Sequence, residues 1–309
     1  MSVVDVRNLS FRYTEAPVLG DVSFCVSEGQ LTGLLGPNGS GKTTLFRILA
    51  TLLPLQEGQI TVCGVALRDN PSQIRHHLGI TFQAPALDIR LTVQENLNCH
   101  GHLYGMSASQ IASRSEELLA CLSLLDRRHV RVEQLSGGLK RRAELAKGLL
   151  HRPSVLLLDE PSTGLDPAAR RQFWNLIQDQ RRREGTTVIV TTHLMDEAES
   201  CDDLILLDQG RIVRHGSPAE LQSLVTTQRL TIRLRNSESV RGRLETRIGS
   251  TGTVHGDRIL FHLSNAGEAL NLVMNEFSAE VVSAEVAQPS LEDVFLTLTG
   301  HSLMDDSAS

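Results

Sequence analysis

The chain has no stretch approaching the ~18 consecutive apolar residues that a membrane-spanning helix needs, so any membrane role must be borrowed from another polypeptide. It also lacks an excess of positive charge: 30 Lys and Arg stand against 36 Asp and Glu, for a net charge of −6. That excludes the broad basic field with which proteins capture nucleic acid, and no nucleic-acid partner is expected. Cysteine is sparse and scattered. Cys25, Cys63, Cys99, Cys121 and Cys201 form no C-x-x-C pair and are odd in number, which argues against a zinc site or a disulfide framework and fits reduced thiols. The opening residues MSVVDVRNLSFRY lack a basic start followed by an apolar run, so no secretory leader is expected. Internal repeats and low-complexity segments are missing too. What remains is an ordinary globular composition, 40% hydrophobic and 21% charged over 309 residues, long enough for two cores.

The hydrophobic pattern divides accordingly. Residues 3–27 alternate as short strands, and QLTGLLG at 30–36 is a buried strand running into a glycine loop. A helix KTTLFRILATLL should follow and stop at Pro54; GQITVCG, a helical start near Pro71 and a strand LGITFQ come next. From 84 to 150 the pattern is helical, and strands return with SVLLLDEP at 154–161 and TTVIVTTH at 186–193, separated by the helix PAARRQFWNLIQDQRRRE. Buried strands alternating with helices predict a parallel α/β sheet carrying a helical insertion. After Gly216-Ser217-Pro218, strand-like RLTIRLR, DRILFHL and AEVVSAEV with the helix AGEALNLVMNEF predict a small α/β domain over 225–300. The last residues, 301–309, read as a disordered tail.

Two motifs carry chemistry. Gly36, Pro37, Asn38, Gly39, Ser40, Gly41, Lys42, Thr43 and Thr44 match G-x-x-x-x-G-K-[ST] between a predicted strand and a predicted helix, the context this phosphate-binding loop requires. Its glycines let backbone N–H groups point at a phosphate, Lys42 would reach the β- and γ-phosphates, and Thr43 would ligate Mg²⁺. The apolar run VLLLDE ends in Asp159, suited to hold Mg²⁺, and Glu160, suited to polarise an attacking water. A strand that simply ends in solvated charge is the plainer reading of VLLLDE alone; beside a phosphate loop it loses ground.

LSGGLKRR at 135–142 adds a second helix start able to face an anion. Standing 23 residues before Asp159, it resembles the signature of ATP-binding cassette proteins. Further matches follow in order. Gln83 resembles the Q-loop glutamine, a contact of Mg²⁺ and of the catalytic centre. STGLD at 162–166 resembles the D-loop with Asp166, and His193 the switch histidine. Tyr13 resembles the aromatic residue stacked on adenine. The resemblance covers residues 1 to about 220 as the cassette, with 84–150 as its helical subdomain, and implies ATP and Mg²⁺ as cofactors. It also implies that two copies, or a copy and a paralogue, face head to tail, each ATP lying between the phosphate loop of one and Ser136, Gly137 and Gly138 of the other. One departure is Leu139, where the family usually has Gln.

FQAPALDIRLTVQENL resembles the region of exporter cassettes where a membrane partner docks, and PSLEDVFLTLTG resembles the ending of the daunorubicin-resistance branch, which pairs a lone cassette with a separate membrane subunit. The resemblance therefore implies an exporter ATPase working with a membrane-spanning permease at the cytoplasmic face of the plasma membrane. By its residues PSLEDVFLTLTG is an amphipathic helix capped by Ser290, with Leu291, Val294, Phe295 and Leu298 in one stripe. A soluble cassette acting on ribosomes or nucleic acid is the alternative. It would favour tandem cassettes, a coiled-coil insertion or a basic surface. An unrelated P-loop kinase or GTPase is a third reading; the guanine-specific N-K-x-D is absent and the signature helix is present, which argue against it. Lys140-Arg141-Arg142 and Arg181-Arg182-Arg183 read as solvated helix faces.

Overall fold

The computed structural model describes residues 2–84, 86–235 and 237–301. Two compact units divide the chain, Met1–Gly216 and Ser217–Leu303.

The first unit begins with β1 (Ser2–Arg12) and β2 (Pro17–Ser27), an antiparallel pair whose alternation buries Val4, Val6, Leu9 and Phe11 on one face. β3 (Leu31–Leu35) is buried at every residue and leads into the glycine loop and α1 (Lys42–Leu49). β4 (Glu57–Val62) and β5 (Val65–Ala66) complete a four-stranded sheet in the order β2-β1-β4-β5. α2 (Pro71–His77), capped by the Asn70 side chain, hands over to β6 (Leu78–Thr81). Then comes the helical insertion: α3 (Val93–Leu103), α4 (Ala108–Cys121) and α5 (Gly137–Leu149). Capping boxes start the first two, Thr92 with Glu95 and Ser107 with Gln110; such caps satisfy backbone donors that a helix start otherwise leaves open.

β7 (Val155–Asp159), α6 (Pro167–Glu184), β8 (Thr187–Thr192), α7 (Met195–Glu199), β9 (Asp203–Asp208) and β10 (Arg211–Gly216) follow. The main sheet runs β10-β9-β3-β8-β7-β6, parallel except for β10. Burial on both faces explains the unbroken apolar strands β3, β7 and β8. Their adjacency and common direction bring three C-terminal ends to one edge, where open α/β sheets bind ligands. Two sequence expectations change here. α1 stops at Leu49, short of Pro54, because Thr51 turns into the left-handed region at φ 61°. The β9–β10 hairpin was not anticipated, although its Gln209-Gly210 turn, with both φ positive, is the usual two-residue hairpin chemistry.

The second unit opens with α8 (Pro218–Gln222), capped by Ser217. β11 (Gln228–Leu234), α9 (Ser237–Ile248), β12 (Thr253–His255), β13 (Arg258–Leu263), α10 (Ala266–Glu276) and β14 (Val281–Ala287) then form a split β-α-β-β-α-β unit. Its sheet runs β12-β13-β11-β14 with every paired neighbour antiparallel. Leu230, Ile232, Ile259, Phe261, Val273 and Phe277 fill the core. The sequence missed α9 and β12. α11 (Leu291–Thr299) carries the expected Ser290 cap; Leu291, Val294 and Phe295 are buried, and the helix packs on α8 of the same unit. The predicted tail lies, beyond His301, outside the described residues.

Candidate active site

The phosphate loop is shaped by crowding. Gly41 caps α1 at φ 102°, and a Cβ there would lie 2.7 Å from the Leu19 side chain; at Gly36 a Cβ would meet the Leu207 carbonyl at 2.1 Å. Only glycine fits either position. The Ser40 hydroxyl is buried with no hydrogen-bond partner among the described residues, and the Lys42 ammonium is folded back onto Gly36 O (2.6 Å) and Pro37 O (2.8 Å). Burial lowers the Lys42 pKa, opposed by the negative charge of Glu160 and Asp159. Thr43 is exposed on the first turn of α1. Tyr13 follows β1, edge-on to Phe11, more than half exposed, with its hydroxyl 3.4 Å from Thr44 Oγ1. An open aromatic face therefore stands beside the loop, as a purine base requires.

From the adjacent strands come the acids. Asp159 is buried at the end of β7 and accepts a 2.6 Å hydrogen bond from the Thr191 hydroxyl of β8. Burial raises its pKa, and repulsion from Glu160 adds to the rise against the Thr191 bond. Glu160 sits at φ 42°, a strained backbone for a glutamate, and its N–H is shared between Thr191 O (3.2 Å) and Oγ1 (2.9 Å). Its Oε2 accepts from Gln83 Nε2 and from the Thr163 hydroxyl, both at 3.2 Å. His193 Nδ1 lies 3.3 Å from Oε1, without hydrogen-bond alignment. Gln83 and His193, far apart in sequence, thus converge on the Glu160 carboxylate.

The second cradle lies elsewhere. Ser136 caps α5, its hydroxyl accepting from Leu139 N–H at 3.4 Å, so Leu139 contributes its backbone there. Ser136, Gly137 and Gly138 line an open cavity of about 360 Å³ together with Gly164 and Asp166, and no residue of 36–44 borders it. Asp166 caps α6 through 2.9 Å bonds from Ala168 and Ala169 N–H, which lower its pKa. A Cβ on Gly137 would meet nothing within 4 Å, and its φ is not positive. Nothing among the described residues requires glycine at that position.

Sequence reasoning missed the residues that hold this edge together. Glu197 is buried and accepts hydrogen bonds from the Ser162 hydroxyl and from the Thr192 hydroxyl (2.5 Å), tying the segment before Asp166 to the one before His193. The solvated-face expectation fails at Arg141, which is 5% exposed and bonded to backbone carbonyls, and at Arg181, which pairs with Asp202 at 2.6 Å. Helical periodicity could have flagged Arg141; its partners are set by tertiary contact alone.

Comparison with known proteins gives the chain its family. Residues 19–163 match the family model described as ABC transporter. The Nod factor export ATP-binding protein I of Burkholderia lata is 34% identical over 304 residues, covering 98% of both chains. The daunorubicin resistance ATP-binding protein DrrA2 of Streptomyces coeruleorubidus is 36% identical, covering 94% of this chain and 92% of the relative. Among solved structures, an ATP-binding subunit of an ABC transporter aligns with TM-score 0.66 and 29% identity over 72% of this chain and 93% of that one. The dimeric cassette MJ0796, in a post-hydrolysis state bound to ADP and Pi, aligns with TM-score 0.63 and 27% identity over 69% of this chain and 98% of that one.

Proposed function

The chain belongs to the ABC transporter family and is the ATP-hydrolysing subunit of an exporter, and from this premise we propose how its residues divide the work. Gly36 to Thr44 hold the triphosphate, with Lys42 turning from its loop carbonyls to the terminal phosphates and Tyr13 stacked on the base. Glu160 accepts a proton from the attacking water, while Gln83 and His193 orient that water and the γ-phosphate around the same carboxylate. Asp159, Thr43 and the Gln83 amide fit a hard, oxygen-seeking cation such as Mg²⁺. A cation held there would favour the ionised Asp159 carboxylate, against the burial and Glu160 charge that disfavour it. Because the described residues hold no cluster of three His, Cys, Asp or Glu, phosphate and water would supply most of its ligands. When bound, the cation neutralises phosphate charge.

Neither pocket is complete within one chain. Ser136, Gly137, Gly138 and Asp166 serve the ATP held by a second copy or a paralogue, so two ATP molecules close a dimer and hydrolysis releases it. The observation that carries this reading is the cavity at Ser136, bordered by no phosphate-loop residue and lined by a glycine that its own chain does not need. No described helix is long and apolar enough to cross a membrane. A separate membrane-spanning subunit would dock on the helical insertion, where Ile89 is 53% and Leu103 83% exposed and where Tyr104, stacked on His151, lines a 640 Å³ cavity. That docking would hold the protein at the cytoplasmic face of the membrane. The second unit serves as an accessory domain.

Mixed dimers test the shared pocket. When Lys42→Ala lies in one copy and Ser136→Arg in the other, both lesions fall in one pocket and the other stays whole, so hydrolysis persists. When both lesions share one chain paired with wild type, each pocket is damaged and hydrolysis stops. Pockets built within single chains give the reverse pattern.

A further inference from the structure

Helix α5 begins at the Ser136 cradle and, further along, grips the backbone around Gln83. Arg141 Nη1 donates to Phe82 O and Nη2 to Gln83 O, each at 2.5 Å. Glu144 Oε1 accepts the Ala86 N–H at 2.6 Å, and its Oε2 pairs with Arg141 at 3.2 Å. Lys147 Nζ reaches Ala86 O at 2.7 Å. Arg141 is 5% exposed and Glu144 wholly buried, so these two charges are held where water cannot substitute for their partners. Burial raises the Glu144 pKa, as such a site demands. A planar fork on two successive carbonyls leaves the segment little freedom to move independently of the helix. The side chain of the gripped residue, Gln83, in turn donates to Glu160.

We propose that Arg141, Glu144 and Lys147 are positioning residues forming a clamp through which α5 couples its two nucleotide pockets. Displacement of the helix when its Ser136 end meets the partner copy's ATP moves Gln83 against Glu160 in the chain's own pocket. One rigid element with a contact at each end is sufficient for this, because packed helices shift as units. The inference rests on the shared-pocket reading above.

The test is steady-state hydrolysis by the full chain. Arg141→Lys keeps the charge but lacks the rigid planar fork that spans the two successive carbonyls. Its turnover at saturating ATP should fall about ten-fold while nucleotide affinity, measured by titration with a fluorescent ATP analogue, stays within about two-fold. Lys147→Ala should move the same way by about three-fold, and it carries the test if Arg141→Lys does not fold. Combining Arg141→Lys with Gln83→Ala should cost little more than Gln83→Ala alone, since both act through one contact. A folded Arg141→Lys protein with wild-type turnover, or losses that multiply in the double variant, overturns the clamp. The mixed dimers report separately on the shared pocket. If they give the single-chain pattern, that reading falls and the clamp with it; if sharing holds while Arg141→Lys is silent, the clamp alone falls.

Discussion

The two anion cradles differ in what accounts for their glycines. At residues 36–41 the fold itself demands them: Gly36 is pressed against Leu207 O, and Gly41 is held at φ 102° against Leu19. At residues 136–138 it does not: among the described residues a Cβ on Gly137 would meet open space, and one on Gly138 only ordinary van der Waals contact with Ala169 at 3.8 Å. Glycine in a helix costs about 1 kcal/mol relative to alanine, so two glycines opening α5 weaken the helix without return inside this chain. The first cradle is explained by its own protomer. The second is explained only by the proposed function, as a surface for a nucleotide held by another copy.

The largest effect that sharpens this contrast is Gly36→Ala, which must displace the β9 backbone and should destabilise the protein by about 3 kcal/mol in a denaturant melt. Retention of full stability would mean that the first cradle is not determined by crowding. Acid separates the cradles next. His100 and His151 lie in and beside the insertion that carries the second cradle, and burial pushes their pKa values down to about 3 and about 4. Both stay neutral in the folded protein, whereas an unfolded chain binds their protons below about 6.5. Their contribution is therefore complete above pH 6.5 and is lost as pH falls toward 4, by up to about 1.4 kcal/mol per unit for each histidine. Unfolding midpoints at pH 7.5, 5.5 and 4.5 measure it, and replacing both histidines with Phe should flatten the slope. The smallest effect is Gly137→Ala, expected to leave stability within about 0.5 kcal/mol of wild type or slightly above it. Hydrolysis should nonetheless fall, because the added methyl stands where the other copy's phosphate must approach. An active Gly137→Ala enzyme would erase the distinction between the cradles.

Much of the site was legible because its chemistry is local. A glycine loop between strand and helix, an apolar strand ending in Asp159 and Glu160, and a serine-glycine helix start each fit in fewer than ten consecutive residues. The fold was legible where burial on both faces leaves unbroken apolar strands, and less so at α9, β12 and β10, whose polar and charged residues weaken the periodic signal. Arg141 was misjudged for a related reason: a charge on a helix reads as solvated until its buried partners are known.

By itself the sequence determined which groups could touch a phosphate, since backbone turns, helix starts and strand ends depend on near neighbours. Only the tertiary structure decided which of them meet. The order β3-β8-β7 brings the glycine loop, His193 and Glu160 to one edge, and the contact of Glu160 with Gln83 spans 77 positions of chain. Thr191, Glu197 and the α5 clamp belong to that second kind. Each is an ordinary polar side chain whose role is set by a partner distant in sequence, and strand order and burial, not local pattern, select that partner.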